Sequence, residues 1–235
     1  MARDRATVPA TASQSDVDAF LRDLARAPSP AQGAARGRLL FAMDATASRE
    51  PSWDRACEIQ GDMFLETASL GGLEIQLAYY RGFAEFKAAP WIDNSAKLVR
   101  LMTGVACRGG QTQIGRVLRH AIDETKVRRV NALVFVGDSL EEDMDGLSRS
   151  AGELKMLGVP VFIFHEGADE AAARGFREIA RLSGGAYCPF DASSAKQLRD
   201  LLSAVAVFAA GGRKALEDYG RKTGGAVLRL TRALR

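Results

Sequence analysis

Three short apolar runs do most to limit what this chain can fold into. They are "RLLFAMD" (38–44), "ALVFVGD" (132–138) and "VPVFIFHEG" (159–167). Each is too short for a buried helix and is bounded by turn residues, so each reads as a strand covered on both faces. A fourth, shorter strand is expected at "AYCPF" (186–190). Helical periodicity fills the intervals: 52–70, 95–105, 113–127, 146–158, 169–185 and 194–212. "GLEIQLAYYRGFAEF" (72–86) breaks the alternation. Its two β-leaning halves meet at Arg81-Gly82, which predicts a tight antiparallel hairpin. Strands separated by helices of ten or more residues demand right-handed crossovers. The expected fold is therefore α/β, doubly wound, with a mostly parallel six-stranded central sheet, one antiparallel edge strand and helices on both faces.

A chain of 235 residues suits one large domain, with or without extensions. Residues 1–15, rich in Ala, Thr, Ser and Arg, are expected to be a disordered tail. "SDVDAFLRDLARAP" (15–28) reads as a helix capped by Ser15 or Asp16 and stopped by Pro28, within an N-terminal helix and linker over 16–35. The main domain is assigned to 36–210. Residues 211–235 form a basic amphipathic extension: beyond Gly212 it carries seven basic residues against two acidic ones. Leu216, Tyr219, Val227, Leu230 and Leu234 give it an interrupted apolar stripe, broken at Gly224-Gly225. This is either a helix packed on the domain or a segment that docks a partner or an anionic membrane surface.

Charge and cysteine content narrow the function classes. A net charge of +3 left over from 32 basic and 29 acidic side chains gives no footprint for nucleic acid, and none is expected as a partner. The longest apolar stretch, 201–210, is about half of what a bilayer requires, so no transmembrane segment is expected. Cys57, Cys107 and Cys188 are odd in number and lack metal-ligand spacing, and the only histidines are His120 and His165. Neither a disulfide framework nor a zinc site follows, and a reducing cytoplasmic location is the expectation. Cys107 and His120 have nothing to orient them as a catalytic pair. Trp53 and Trp91 read as core residues, with Trp91 also placed to line a binding face.

The chemistry-bearing stretch is "FAMDATAS" (41–48). In open parallel sheets, ligands bind beyond the carboxyl ends of the strands, which places Asp44 and Asp138 on one rim. Thr46 and Ser48 stand on alternate positions of the turn after Asp44. Thr112 ends the glycine loop "RGGQT" (108–112), immediately before a helix. Magnesium takes six oxygens and keeps several waters. Two carboxylates with neutral hydroxyls would balance its charge and leave a position for an outside ligand. The plain alternative is that Asp44 and Asp138 cap the helices that follow them.

These residues, in this order, resemble the von Willebrand factor A domain with its metal-ion-dependent adhesion site. The family's Asp-x-Ser-x-Ser stands here as Asp44-Ala45-Thr46-Ala47-Ser48, the middle serine replaced by threonine with its hydroxyl kept. The loop threonine matches Thr112, and the aspartate closing the fourth strand matches Asp138. The resemblance covers roughly 36–210. It implies a non-enzymatic, bacterial recognition module in which a magnesium or manganese ion receives an acidic side chain from a partner protein. Thr46, Ser48 and Thr112 would coordinate directly, and Asp44 and Asp138 partly through water. Some members of the family have lost the metal and serve as scaffolds.

A rival resemblance is to haloacid-dehalogenase-like phosphatases. There Asp44 would be the nucleophile, and Asp138 with Asp143 or Glu142 would bind the metal. The position two residues after the nucleophile, where that family places a general acid, holds Thr46, which cannot do that work. The four acids of "LEEDMD" (140–145) read as a solvated loop and helix start, or else as a rim that selects basic partners. "KVRR" (126–129) reads as a helix C-terminus that complements the dipole.

Overall fold

A computed structural model describes residues 13–29, 36–49, 72–190 and 195–223. The expected tail, the helix over 52–70 with Trp53 and Cys57, and the end of the basic extension with Val227, Leu230 and Leu234 fall outside these residues, except for positions 13–15 of the tail. The strands are β1 (Gly37–Asp44), β2 (Leu73–Arg81), β3 (Glu85–Ala88), β4 (Ala132–Gly137), β5 (Val161–Glu166) and β6 (Ala186–Phe190). The described helices are α1 (Gln14–Arg26), α2 (Ser95–Thr103), α3 (Ile114–Val127), α4 (Met144–Met156), α5 (Glu170–Ser183) and α6 (Ala195–Thr223).

The six strands form one sheet in the order β3-β2-β1-β4-β5-β6, parallel throughout except for the β2–β3 hairpin at one edge. All eight residues of β1 are buried, and they divide between the two faces with the period of two that a strand imposes. Leu39, Phe41 and Met43 join Phe20 and Leu24 of α1, Leu98 of α2 and Phe208 of α6 on one side. Leu40 and Ala42 join Val117 of α3, Leu147 of α4 and Phe176 of α5 on the other. A strand covered on both faces has no polar side to show in its sequence, which is why β1, β4 and β5 read as continuous apolar runs.

Both segments flanking 36–210 contribute to this core. Phe20 of α1 is fully buried, with its ring 5.9 Å from that of Phe162 and 5.1 Å from that of Phe164. Helix α1 begins two or three residues earlier than its sequence suggests. Ser13, not Ser15 or Asp16, is the cap, and Asp16 closes a capping box by accepting from the Ser13 N–H. The serine-then-acid spacing occurs twice, at Ser13–Asp16 and Ser15–Asp18, and the box that forms is the first. Helix α6 breaks at Gly212, whose φ of 67° only glycine adopts readily, and continues to Thr223 with Leu216 fully buried. Among the described residues no helix is long and apolar enough to cross a membrane.

The strand order reverses between β1 and β4. From β1 the chain builds outward through β2 to β3, then returns to place β4 on the other side of β1. Crossovers therefore leave in opposite directions from the carboxyl ends of β1 and β4, opening a crevice between them. Asp44 and Asp138 stand at its two sides.

Candidate metal centre

The register sets the level of each strand end. Asp44 pairs with Tyr80, Met43 with Val136, and Gly137 with His165, so the ends of β1, β2, β4 and β5 finish side by side. Asp44 is fully buried, and both of its oxygens are held. Oδ1 accepts from the Thr46 backbone N–H at 2.7 Å, which bends the chain into the turn over Ala47–Arg49. Oδ2 accepts from the Tyr80 hydroxyl at 2.9 Å. Burial pushes the Asp44 carboxyl up from its ordinary value; the Thr46 hydrogen bonds pull it down, and the charge of Asp138 adds to the rise. The Tyr80 phenol is raised well above its ordinary value, by burial first and Asp44 second, and so remains a donor.

The turn brings Thr46 Oγ1 within 3.1 Å of Ser48 Oγ. Thr46 is buried and Ser48 exposed, so the hydroxyl pair spans the step from interior to solvent. Asp138 follows β4, the strand beside β1. An ideal Cβ on its neighbour Gly137 would lie 3.5 Å from the Asp44 Cβ, and the two carboxylates sense each other's charge. Asp138 Oδ1 is buried without a hydrogen-bond partner among the described residues.

Thr112 arrives on a loop clamped from three sides. The Arg108 N–H donates to Ala45 O at 3.0 Å, and the Gln111 N–H donates to Gly82 O at 3.2 Å. At Gly110 the backbone passes so close to the hairpin turn that a Cβ would fall 2.0 Å from Gly82 O, and only glycine fits. Thr112 and Glu141 then bond reciprocally. The Thr112 N–H donates to Glu141 Oε2 at 3.2 Å, and the Glu141 N–H donates to Thr112 Oγ1 at 3.1 Å. The structure thus joins Asp44, Thr46 and Ser48 in one turn and sets Asp138 against it. Thr112 is tied to the loop that follows Asp138, with its hydroxyl bonded to Glu141 and not to the turn.

Several residues that build this rim escaped the sequence reading. Glu142 accepts from the N–H groups of Ile114 at 2.5 Å and Gly115 at 2.7 Å, capping α3, whose own Gln113 makes no side-chain cap. Asp143 caps α4 through the Gly146 N–H. The acids of 140–145 form the expected exposed loop and helix start, and Glu141, Glu142 and Asp143 also accept backbone hydrogen bonds; the two that the phosphatase resemblance would give to a metal are engaged with helix N-termini. Arg49, directly after Ser48, turns inward with 1% of its surface exposed and forms an ion pair with Glu166 at the end of β5. Burial lowers its pKa, while the carboxylates of Asp138 and Asp44 favour its charge. Only the adjacency of Arg49 to Ser48 was visible in advance; nothing local signals its burial.

Residues considered elsewhere take structural roles. Trp91 donates from Nε1 to Glu124 at 2.6 Å, with the Arg38 guanidinium 3.7 Å over its ring. His120 bonds Gln76 at 2.9 Å on the face of the sheet opposite Cys107.

The donor set suits a hard divalent cation. Adjacent oxygens of an octahedral magnesium at about 2.1 Å lie roughly 3 Å apart, which is the spacing of the Thr46 and Ser48 hydroxyls. The buried, partnerless Asp138 Oδ1 is an acceptor that a cation or its water would satisfy. Among the described residues no group of three or more His, Cys, Asp or Glu side chains could hold a metal ion.

A doubly wound sheet with a reversed edge hairpin and an acidic crevice at its switch point is the class of architecture this chain adopts. Within that class it has the von Willebrand factor A fold. The VWA domain of SpRpn10 superposes with a TM-score of 0.57 at 16% identity, over 72% of this chain and 94% of that one. A von Willebrand factor type A protein from Catenulispora acidiphila gives 0.57 at 15% identity, over 74% and 43%. An aerotolerance-related membrane protein from Bacteroides fragilis gives 0.53 at 16% identity, over 69% and 95%. No protein-family model and no curated protein sequence matches the chain.

Proposed function

We propose that this protein is an interaction module that binds a partner protein through a divalent cation, magnesium or manganese, held by Asp44, Thr46, Ser48, Thr112 and Asp138. The observation that carries the reading is the turn that gathers the Asp44, Thr46 and Ser48 oxygens beside the end of β4, after which Asp138 Oδ1 is buried without a donor among the described residues. When bound, the ion supplies Lewis acidity toward an acidic side chain of the partner. The chain's own residues do the positioning. Tyr80 and the Thr46 N–H fix the Asp44 carboxylate, and the Glu141 carboxylate holds the Thr112 backbone. The fold similarity supports an interaction role and no catalytic one. A cytoplasmic setting is part of the proposal, in keeping with the free thiol of Cys188.

Calorimetric titration of magnesium and manganese into the wild type, Asp44→Ala and Asp138→Ala tests it. Saturable binding by the wild type alone is the expected result, and identical heats from all three refute it. A second reading, a metal-free scaffold of the same fold, draws on one observation: the rim already contains the buried cation Arg49. That reading expects no manganese binding by any of the three proteins.

A further inference from the structure

The turn that leaves Ser48 exposed to solvent buries the next side chain, Arg49. Strands β1, β4 and β5 are neighbours, so Asp44, Asp138 and Glu166 leave the sheet on three adjacent ends. Arg49 lies beneath them, almost fully buried, in an ion pair with Glu166 and in the field of both aspartates. Burying a lone guanidinium costs several kcal/mol, and here three carboxylates offset that cost. The guanidinium in turn relieves the three carboxylates, since like charges converging at a buried rim repel.

A divalent ion at the candidate site would draw on two of these carboxylates. A guanidinium keeps its proton across the whole accessible pH range, so acid or base cannot remove this internal cation; a competing cation can. We infer that Arg49 and a divalent cation compete for Asp44 and Asp138, so that the domain closes its rim with its own side chain when metal is scarce. The inference rests on the metal-site reading. It makes Arg49 the residue that sets metal affinity. It also accounts for how so acidic a rim stays folded without metal: Glu166 holds the guanidinium in reserve. Displaced from the aspartates, Arg49 retains Glu166 as a partner and is not left as an uncompensated charge.

The experiment is a manganese titration of the full chain, followed by calorimetry, together with thermal melting in chelator. The proteins are the wild type, Arg49→Met and the double variant Arg49→Met with Glu166→Gln. Methionine keeps length and apolar bulk while removing the charge. The double variant removes the whole buried pair, leaves the rim's net charge as in the wild type, and guards against misfolding of the single one. Competition predicts that both variants bind manganese with a Kd at least about tenfold lower than the wild type, within the usual range of coupling between two binding events. It also predicts that Arg49→Met melts lower than the wild type in chelator and gains more from manganese. A double variant whose Kd matches the wild type overturns the competition while the metal site stands. Absence of manganese binding by all three proteins, Asp44 and Asp138 being intact, overturns the metal site itself and the competition with it.

Discussion

Replacing Glu142 with alanine removes the carboxylate that caps α3 from a loop 28 residues away in sequence. Helix α3 starts at Ile114, and its cap residue Gln113 makes no side-chain bond to the first turn. The N–H groups of Ile114 and Gly115 instead donate to the two Glu142 oxygens at 2.5 and 2.7 Å. Losing a cap costs about 0.5–2 kcal/mol, and losing a negative charge at a helix N-terminus costs about 0.3–1 kcal/mol more. The site is part-buried, so water replaces some of what is lost, and about 2 kcal/mol is the expected net cost. In a chain of this size that lowers Tm by about 4–8 °C. Glu142→Gln keeps an acceptor and loses the charge, so it is expected to fall near half of that. Urea unfolding gives the stabilities, and hydrogen exchange at Ile114 and Gly115 localises the effect. An alanine variant within about 0.5 kcal/mol of the wild type, or one whose first α3 amides exchange no faster, refutes the capping argument.

Tyr80→Phe strips Asp44 Oδ2 of its donor in a fully buried setting, and leaving such an acceptor unpaired costs about 1–3 kcal/mol, measurable by urea unfolding. No change would mean that Tyr80 does not hold the carboxylate. Phe20→Ala opens a cavity between α1 and β5 and is expected to cost about 3–5 kcal/mol. A loss below 1 kcal/mol, roughly one cap's worth, would show that α1 is an appendage and not core. Burial lowers the His120 pKa against the upward pull of Glu124 and Asp123, so the folded state resists protonation. The stability tied to that group is complete above the ordinary histidine value of 6.5 and is lost as pH falls from there through the lowered folded value. The loss is smaller than the ~1.4 kcal/mol per pH unit of one full proton. His120→Gln should flatten the stability curve below pH 6.5, and superimposable curves would refute the assignment.

The parts of this molecule that were legible in its sequence are those fixed by short-range pattern. Residues 38–44, 132–138 and 159–167 declare strands because both faces are buried, and Arg81-Gly82 declares a hairpin through its turn chemistry. The convergence of Asp44 and Asp138 followed from a topological rule that needs only the order of elements. What stayed hidden depends on partners distant in sequence. Arg49 reads as a surface arginine until β5 supplies Glu166, more than a hundred positions later, and Tyr80 reads as an ordinary strand residue until the register sets it beside Asp44. Glu141 and Glu142 read as solvated acids because the N–H groups they serve belong to another loop. The cap of α1 was misplaced because Ser13 and Ser15 both sit at plausible distances from the first apolar residue, and only the reciprocal bond to Asp16 selects between them.

The rim is better understood as three loops that hold one another than as a set of ligands. The turn after β1 is pinned by Arg108, the 108–113 loop by the hairpin turn at Gly82, and Thr112 by Glu141. Each tie joins backbone to backbone or backbone to side chain, so none needs a cation to form. For Thr112 to turn its hydroxyl fully toward the Asp44–Ser48 turn, its bond from the Glu141 N–H must break or share, a cost on the order of 1 kcal/mol. Displacing Arg49 from the aspartates adds a further cost. A cation at this rim would therefore work against two opposing contacts of the protein's own making. The binding of an acidic partner, adding its own carboxylate, is the step that could tip that balance. The metal affinity of the isolated chain should accordingly be lower than its donor set alone suggests, for reasons that reside in Glu141 and Arg49 and not in the ligands themselves.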